Sequence, residues 1–324
     1  MNLLITGGCG IVGSYVVEEA LARGLRPVVV DVASVPPPLR PRAKEFVHVP
    51  GDIQDQAMLL HVVTQHRIDT IIHFAALLGD VVQHRPVAGM RVNVVGATNV
   101  LEAARLNGVR RMVFASTRTV YPDFKGTEHG HPTYKPVTED VVPDPTRPYE
   151  VMKLYGEKMG RFYRDTYGVE FAALRFAMYY CAERSLRPGT RGMAMFNAII
   201  GNAARGEPTR LESGRALRFD LVHARDLARA AVLAATAPSV PSLAYNIGGG
   251  RAWTFDDMAT ALRQVFPDAV LEVGGGMELP PGHYCILDIG RARKEIRYEP
   301  AHDLAAGIRD CAERMKALGV GGLR

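Results

Sequence analysis

A short apolar run, Leu3-Leu4-Ile5-Thr6, passes directly into Gly7-Gly8-Cys9-Gly10-Ile11-Val12-Gly13, and helical periodicity begins at Ile11 and lasts to Arg23. Each of three glycines has its own task. Gly7 permits a tight turn, Gly10 lets backbone N–H groups approach a ligand with no Cβ in the way, and Gly13 lets the new helix lie close to the strand. The helix N-terminus, at Ile11 and Val12, points free N–H donors and the positive end of its dipole at the same place, which suits a pyrophosphate. A second apolar run, Arg26 to Val30, ends in Asp31, at the spacing where a carboxylate accepts hydrogen bonds from an adenosine ribose. Asp31 also repels a 2′-phosphate, and no Lys or Arg follows before Arg40, so NAD is favoured over NADP. The chain is thus constrained first to a strand, glycine loop and helix that cradle a dinucleotide.

Apolar runs recur at 2–6, 26–31, 46–49, 69–74, 110–116 and 169–175, with helical periodicity at 11–23, 55–66, 86–107, 149–167 and 193–206. This alternation predicts right-handed βαβ crossovers and a Rossmann-type α/β fold, a doubly wound parallel sheet covered on both faces. Residues 1–175 then form the NAD-binding domain. Residues 176–324 form a smaller C-terminal α/β cap lobe, with strands near 217–222, 243–247 and 269–273 and helices near 225–236, 255–265 and 301–317, some of this chain returning to the first half. No low-complexity linker or repeat separates the halves, so a cleft is expected between them.

A chain of 324 residues, 47% hydrophobic, has ample material for a large core. No apolar run approaches the ~20 residues of a membrane-spanning helix, and the chain opens on a strand rather than a targeting segment, so a cytoplasmic protein is expected. Cys9, Cys181, Cys285 and Cys311 are scattered with no C-x-x-C and read as reduced thiols. His129 and His131 are spaced as metal ligands are, yet further donors are missing nearby, so no metal is expected. The net charge of +5 is spread along the sequence without a stacking-aromatic module. It argues for a field that draws an anionic cofactor and substrate, not for nucleic acid.

Residues 122–148 hold six prolines and no periodicity, a stretch long enough to be functional or disordered. Directly after it, Pro148-Tyr149-Glu150-Val151-Met152-Lys153 opens a helix. Spacing of i, i+4 puts Tyr149 and Lys153 side by side, and an ammonium near a phenol favours phenolate, which suits a general base for a hydroxyl. Thr117 ends the apolar run Val113-Phe114-Ala115-Ser116, at the carboxyl edge of the sheet, where its hydroxyl can hold a substrate alcohol beside Tyr149.

The glycine loop, His73-Phe74-Ala75-Ala76, the segment Asn93 to Asn99, Phe114-Ala115-Ser116-Thr117 with Val120-Tyr121, and Pro148 to Lys153 together resemble, in order, the extended short-chain dehydrogenase/reductase family of NAD-dependent epimerases, dehydratases and dehydrogenases. The likeness covers residues 1–175 closely and the remainder loosely. It implies Tyr149 as acid/base, Lys153 as its tuner and a ligand of the nicotinamide ribose, and Thr117 as the group orienting the substrate oxygen. It implies Asp52 at the adenine amine, with Ile53 beside it, unless Asp52 merely caps a helix. Phe74, Ala75 and Ala76 lie along the dinucleotide's path, His73 packs near it, and Asn93 either sits by the active site or fixes a helix kink. The family also implies a homodimer, through the helices at about 86–107 and 149–167.

Within the family this chain departs from type at three places. Dehydratases carry an acidic pair after the catalytic threonine, where this chain has Arg118 and Thr119, so dehydration is disfavoured. Nucleotide-sugar enzymes carry an asparagine shortly after the Leu-Arg of the sixth strand, where this chain reads Leu174-Arg175-Phe176-Ala177-Met178. They also place an arginine for the diphosphate where this chain has Phe219, and Arg218, one residue away, faces the other side of a strand. The expected substrate contacts are Leu78, Arg118, Met178, Arg191 and Arg218, with Arg118 and Arg191 able to clamp a carboxylate. The sequence therefore predicts NAD-dependent oxidoreduction of a secondary hydroxyl on a sugar or sugar-like molecule, by an epimerase or dehydrogenase through a keto intermediate. The alternative is dehydrogenation of a small carboxylated hydroxy or amino acid, as in the threonine-dehydrogenase-like branch. A non-catalytic NAD-binding protein would have no need of Thr117, Tyr149 and Lys153 together.

Overall fold

The computed structural model describes residues 1–187, 192–276 and 284–319. Its strands are β1 (Leu3–Thr6), β2 (Val28–Asp31), β3 (Val47–Pro50), β4 (Thr70–His73), β5 (Arg111–Thr117), β6 (Glu170–Phe176), β7 (Met178–Tyr180), β8 (Thr209–Leu211), β9 (Leu221–His223), β10 (Ala244–Ile247) and β11 (Leu271–Val273). The helices are α1 (Ile11–Ala22), α2 (Gln56–Gln65), α3 (Gly79–His84), α4 (Pro86–Gly89), α5 (Ala97–Leu106), α6 (Pro148–Tyr167), α7 (Ala182–Ser185), α8 (Gly192–Arg205), α9 (Ala224–Thr236), α10 (Phe255–Val265), α11 (Gly290–Ile296) and α12 (Leu304–Ala317). Every apolar run expected as a strand before residue 175 forms one.

Seven strands join in a parallel sheet of order β10-β6-β5-β4-β1-β2-β3, in register Ile5↔Val29, Ile5↔Ile72 and Ile72↔Val113. Neighbouring residues on each strand serve opposite layers. Leu4, Val28 and Ile71 pack beneath Leu59, Val62 and Val100 on one face. Ile5, Val29 and Ile72 pack beneath Val16, Val17, Leu227 and Ala231 on the other. At about 1.5–3 kcal/mol for each Val, Leu or Ile buried, these two layers supply most of the sheet's stability. The chain reverses its winding between β1 and β4, and a crevice opens at their carboxyl ends, where open α/β sheets bind ligands.

The span 86–107 is not one helix. A π-helical turn, Met90–Gly96, separates α4 from α5, because the Asn93 amide leaves the helix surface to bind Leu77. Of the segments expected in the cap lobe, two lie in the large layer instead: β10 pairs with β6, and α9 packs beside α1. Their composition explains this, since Ala230, Ala231, Ala234 and Ala235 give α9 a smooth, fully buried face suited to close helix packing. The remaining cap residues surround their own core, where Phe219 meets Phe196 and Phe255 at ring-centroid distances of 4.4 and 5.1 Å.

Charged side chains pin the cap to α1. Glu18 accepts from Arg314 at 2.8 Å and Arg225 at 3.2 Å, and Glu183 accepts from Arg314 at 2.6 Å. The proline-rich stretch 122–148 is ordered: Phe124, Tyr134 and Val137 are buried, and Val137 bridges to Leu287. No helix among the described residues is long and apolar enough to cross a membrane.

Candidate active site

The glycine loop between β1 and α1 is closed on two sides by protein and open on the third. Gly7 has a φ of +74°, and a Cβ there would lie 2.6 Å from the Ala75 Cα. A Cβ on Gly13 would lie 2.9 Å from the Gly8 Cα and overlap the Gly7 carbonyl. Gly10, the N-cap of α1, is different. Its backbone is extended, with φ −69° and ψ 171°, and a Cβ would meet only the Gly7 oxygen, at 3.2 Å. Gly10 thus lines open space, as do Gly7, Ile11, Val12 and Gly13. Asp31, at the end of β2, accepts from Cys9 N at 2.8 Å and Ala33 N at 2.9 Å, which fixes its carboxylate beside the loop. Asp52 accepts from the backbone and side chain of Gln54, and Ile53 is buried beneath Gly96. Asn93 both donates to and accepts from the Leu77 backbone, at 2.9 and 2.8 Å. Of its two expected roles, the structure displays the one of fixing the helix break.

Tyr149 stands in the first turn of α6, after Pro148 and with Glu150 accepting from Arg147 N in a capping box. One turn on, Lys153 is buried and donates to the Ala115 carbonyl at 2.7 Å. Its nitrogen lies 4.9 Å from the Phe114 ring centroid and 5.8 Å from that of Tyr149. Burial depresses the Lys153 ammonium to about 8, against the opposing pull of Glu157. Lys153 stands beside the Tyr149 phenol as the i, i+4 spacing predicts. Burial drives that phenol well above its ordinary value, Tyr179 and Glu150 push the same way, and the cation acting downward is Arg184. Desolvation is the largest of these effects, since burial in a dry cleft disfavours the phenolate. His73 is held neutral, its pKa depressed by burial and by Lys153 to about 3, and its Nδ1 lies 2.6 Å from the Thr6 hydroxyl.

The cleft above these groups is lined by the glycine loop, Phe74, Ala76, Leu78, Ala115, Ser116, Tyr149 and Lys153. Thr117 is not among its lining residues: the hydroxyl turns to Thr119, accepting from its N–H at 3.2 Å and lying 3.0 Å from its Oγ1. Ser116 donates to Glu157 at 2.6 Å, and Glu157 is held by Arg175 at 2.7 Å, a buried pair tying β5, β6 and α6 together. Ala75 serves the loop rather than the cleft, closing over Gly7.

The expected substrate contacts scatter. Leu78 lines the cleft and is 47% exposed. Arg118 is buried away from it, hydrogen-bonded to the Cys285 thiol and acting on Asp220, whose carboxyl burial raises to about 6. Met178 sits in the cap core, since side chains alternate along β7 and the cleft takes Tyr179 instead. Arg218 is exposed and lines a separate groove with Tyr134, Arg251 and Arg293, while Phe219 behind it fills the cap core. Arg191 lies outside the described residues. Sequence reasoning missed Phe176, Tyr179, Arg184 and Leu227, all of which line the cleft. A short strand of three aromatic or apolar residues, Met178 to Tyr180, carries too little pattern to tell its two faces apart.

The cradle's open side at Gly10, the carboxylate at its far end and the Tyr149–Lys153 pair at the other fit an NAD molecule laid across the sheet edge. In agreement, the sequence model of the NAD dependent epimerase/dehydratase family matches residues 3–248. A UDP-glucose 4-epimerase of Halalkalibacterium halodurans is 31% identical over 280 residues, covering 82% of this chain and 80% of its own length. The UDP-glucose 4-epimerase of Mus musculus is 31% identical over 295 residues, covering 81% and 82%. Among solved structures, a Thermus thermophilus UDP-glucose 4-epimerase in complex with NAD superposes with a TM-score of 0.76 at 26% identity, covering 98% of this chain and 99% of that one.

Proposed function

The chain belongs to the NAD-dependent epimerase/dehydratase family, and from that premise we propose that it is a sugar epimerase acting on a nucleotide sugar, with Tyr149 as its acid/base. The observation that carries the reading is the meeting, in one cleft, of an open glycine cradle with a tyrosine and a buried lysine one turn apart. Relatives similar over four fifths of both chains carry the same name, UDP-glucose 4-epimerase.

Tyr149 removes the proton from a secondary hydroxyl and returns it after the carbonyl has turned its other face. Bound in this cradle, NAD would supply a reversible hydride acceptor for that carbon. Gly10 and the N–H groups opening α1 would hold the pyrophosphate, and Asp31 the ribose. Lys153 keeps its place through Ala115 and sets the ribose and the phenol relative to β5. Thr117 reaches the substrate oxygen only by leaving Thr119. The absence of an acidic pair after Thr117 leaves no acid to expel water, so the keto sugar is reduced again rather than dehydrated.

The decisive experiment is denaturation of extensively desalted protein and assay of the released nucleotide. About one equivalent of NAD per chain, with interconversion of UDP-glucose and UDP-galactose, supports the reading. An empty site that takes up NAD only with net oxidation of a substrate overturns it in favour of a dehydrogenase. Tyr149→Phe is expected to retain NAD and lose nearly all turnover; an active Phe variant removes Tyr149 from the role.

The proposed assembly is a homodimer. Val87, Met90, Val95 and Leu106 from the α4–α5 side and Val151, Phe162 and Tyr167 from α6 are large, apolar and 45–64% exposed, a concentration that a second copy would cover. Sedimentation at micromolar concentration tests this. The proposed compartment is the cytoplasm, supported by four cysteines that are all free and buried.

A further inference from the structure

Among the described residues, Arg184 is a cation of the cleft whose paired terminal nitrogens are unspent. Only its Nε is engaged, donating to the Tyr179 hydroxyl at 2.7 Å, with the guanidinium carbon 5.2 Å from that ring's centroid. Among the described residues its two terminal nitrogens make no hydrogen bond and no carboxylate pairs with it. Glu183, its neighbour, turns the other way to Tyr15 and Arg314. Lys153, the other lining cation, gives one N–H to Ala115 and in the function proposed above would give another to the ribose.

The short helix bearing Arg184 is firmly seated. Cys181, Ala182 and Ser185 are at most 1% exposed, and Asn197 accepts from Cys181 N at 3.1 Å. A guanidinium so placed, braced by a tyrosine and facing both the glycine loop and Tyr149, is pre-organised for an oxyanion. The arginines that would otherwise serve are elsewhere: Arg118 is buried against Cys285 and Arg218 faces another groove.

Resting on the function proposed above, we infer that Arg184 is the anion-recognition residue of this cleft, taking a phosphate or carboxylate group through its terminal nitrogens. Two sources offer that chemistry: the pyrophosphate of the dinucleotide, and an anionic group of the substrate. Arg184→Met separates them. Titration calorimetry with NAD, ADP and adenosine on protein first freed of resident nucleotide reads the first, and KM for UDP-glucose reads the second. If the anion is the dinucleotide's, the variant binds NAD and ADP about 10- to 100-fold more weakly and adenosine unchanged, as expected for a charge-assisted pair. If it is the substrate's, KM rises by a similar factor while NAD affinity stays within about twofold.

In either case Arg184→Lys, which keeps the charge but loses the fork, falls between, and the gap between wild type and Met variant narrows in high salt. Unchanged NAD affinity and unchanged KM in a variant of wild-type melting temperature overturn the inference. Should Arg184→Met fail to fold, Arg184→Lys gives the same reading. Failure of the wild type to bind NAD would instead sink the proposed function, so the two are told apart.

Discussion

Gly10 and Gly13 stand three residues apart in one loop, yet the structure assigns them opposite reasons for being glycine. Gly10→Ala places a methyl that meets only the Gly7 oxygen, at 3.2 Å, on a backbone any residue adopts. The folded state yields by a few tenths of an ångström. Stiffening the unfolded chain returns about 0.4–1 kcal/mol, and the weaker N-cap removes about 0.5–1 kcal/mol. With unfolding entropy of about 2.1 cal/mol/K per residue over 324 residues, roughly 0.7 kcal/mol/K, the melting temperature moves by no more than about 1 °C. The same methyl stands where backbone N–H groups would meet the pyrophosphate. Each charge-assisted bond lost is worth about 1.5–3 kcal/mol, or roughly 10- to 100-fold in NAD affinity. In Gly13→Ala the clash is with backbone of Gly7 and Gly8, which cannot swing aside, so α1 must lift from β1 at a cost of at least about 1–3 kcal/mol. Thermal melts and NAD titration on both variants check this. A Gly10→Ala protein that binds NAD like wild type, or melts as early as Gly13→Ala, refutes the division of roles.

The buried Arg175–Glu157 pair, 6% and 2% exposed, yields a stability prediction. Arg175→Met leaves Glu157 charged with only Ser116, costing about 3–5 kcal/mol and lowering the melting temperature by roughly 4–7 °C. Arg175→Met with Glu157→Leu recovers most of that loss in the same melt, because no unpaired charge remains. His302, half-buried, has its pKa raised by its hydrogen bond to Asp226. The stability it contributes is fully present below the unfolded value, about 6.5, and is lost as pH rises through the higher folded value. Neighbouring His223, buried and depressed to about 3, acts oppositely, favouring the folded state as pH rises toward 6.5. Denaturant midpoints at several pH values, wild type minus His302→Gln, isolate the first effect, and a difference independent of pH rejects it.

Much of the fold was legible because periodicity in the first half is carried by runs that must be buried on both faces. Val28-Val29-Val30 serves both layers of the core at once and reads as a strand without help. The cap was less legible. Its strands are three residues long, and β10 returns to the main sheet through pairing with Ala173 and Leu174, which no local pattern announces. The break at Met90–Gly96 hid in an unbroken apolar periodicity, since its cause is an amide bonded to a residue 16 positions away. At the site, Tyr149, Lys153 and the glycines followed from fixed spacings within single elements. Arg184, Tyr179 and Leu227 come from three separate elements of the second half, and only the packing of α9 on α1 and of α7 on α8 and α12 brings them to the cleft.

The electrostatics of the cleft set a second cation, Arg184, beside Lys153 at the proposed base. Spacing along α6 makes Lys153 the neighbour of Tyr149, with one N–H bonded to Ala115 and its ammonium held near 8 by burial. Tyr149 lies where burial opposes its anion, and the charge that pulls the phenol back is Arg184. A phenol in a dry cleft serves as a base only when its anion is met by a positive charge not already matched elsewhere. Arg184 has that surplus because Glu183 is turned to Tyr15 and Arg314. An oxyanion seated on Arg184 would cancel part of the field that Tyr149 depends on, and the phenol would rise further. Anion recognition and base strength are therefore opposed through one guanidinium, and the alkaline shift of the turnover profile on binding measures how much of its charge the ligand takes.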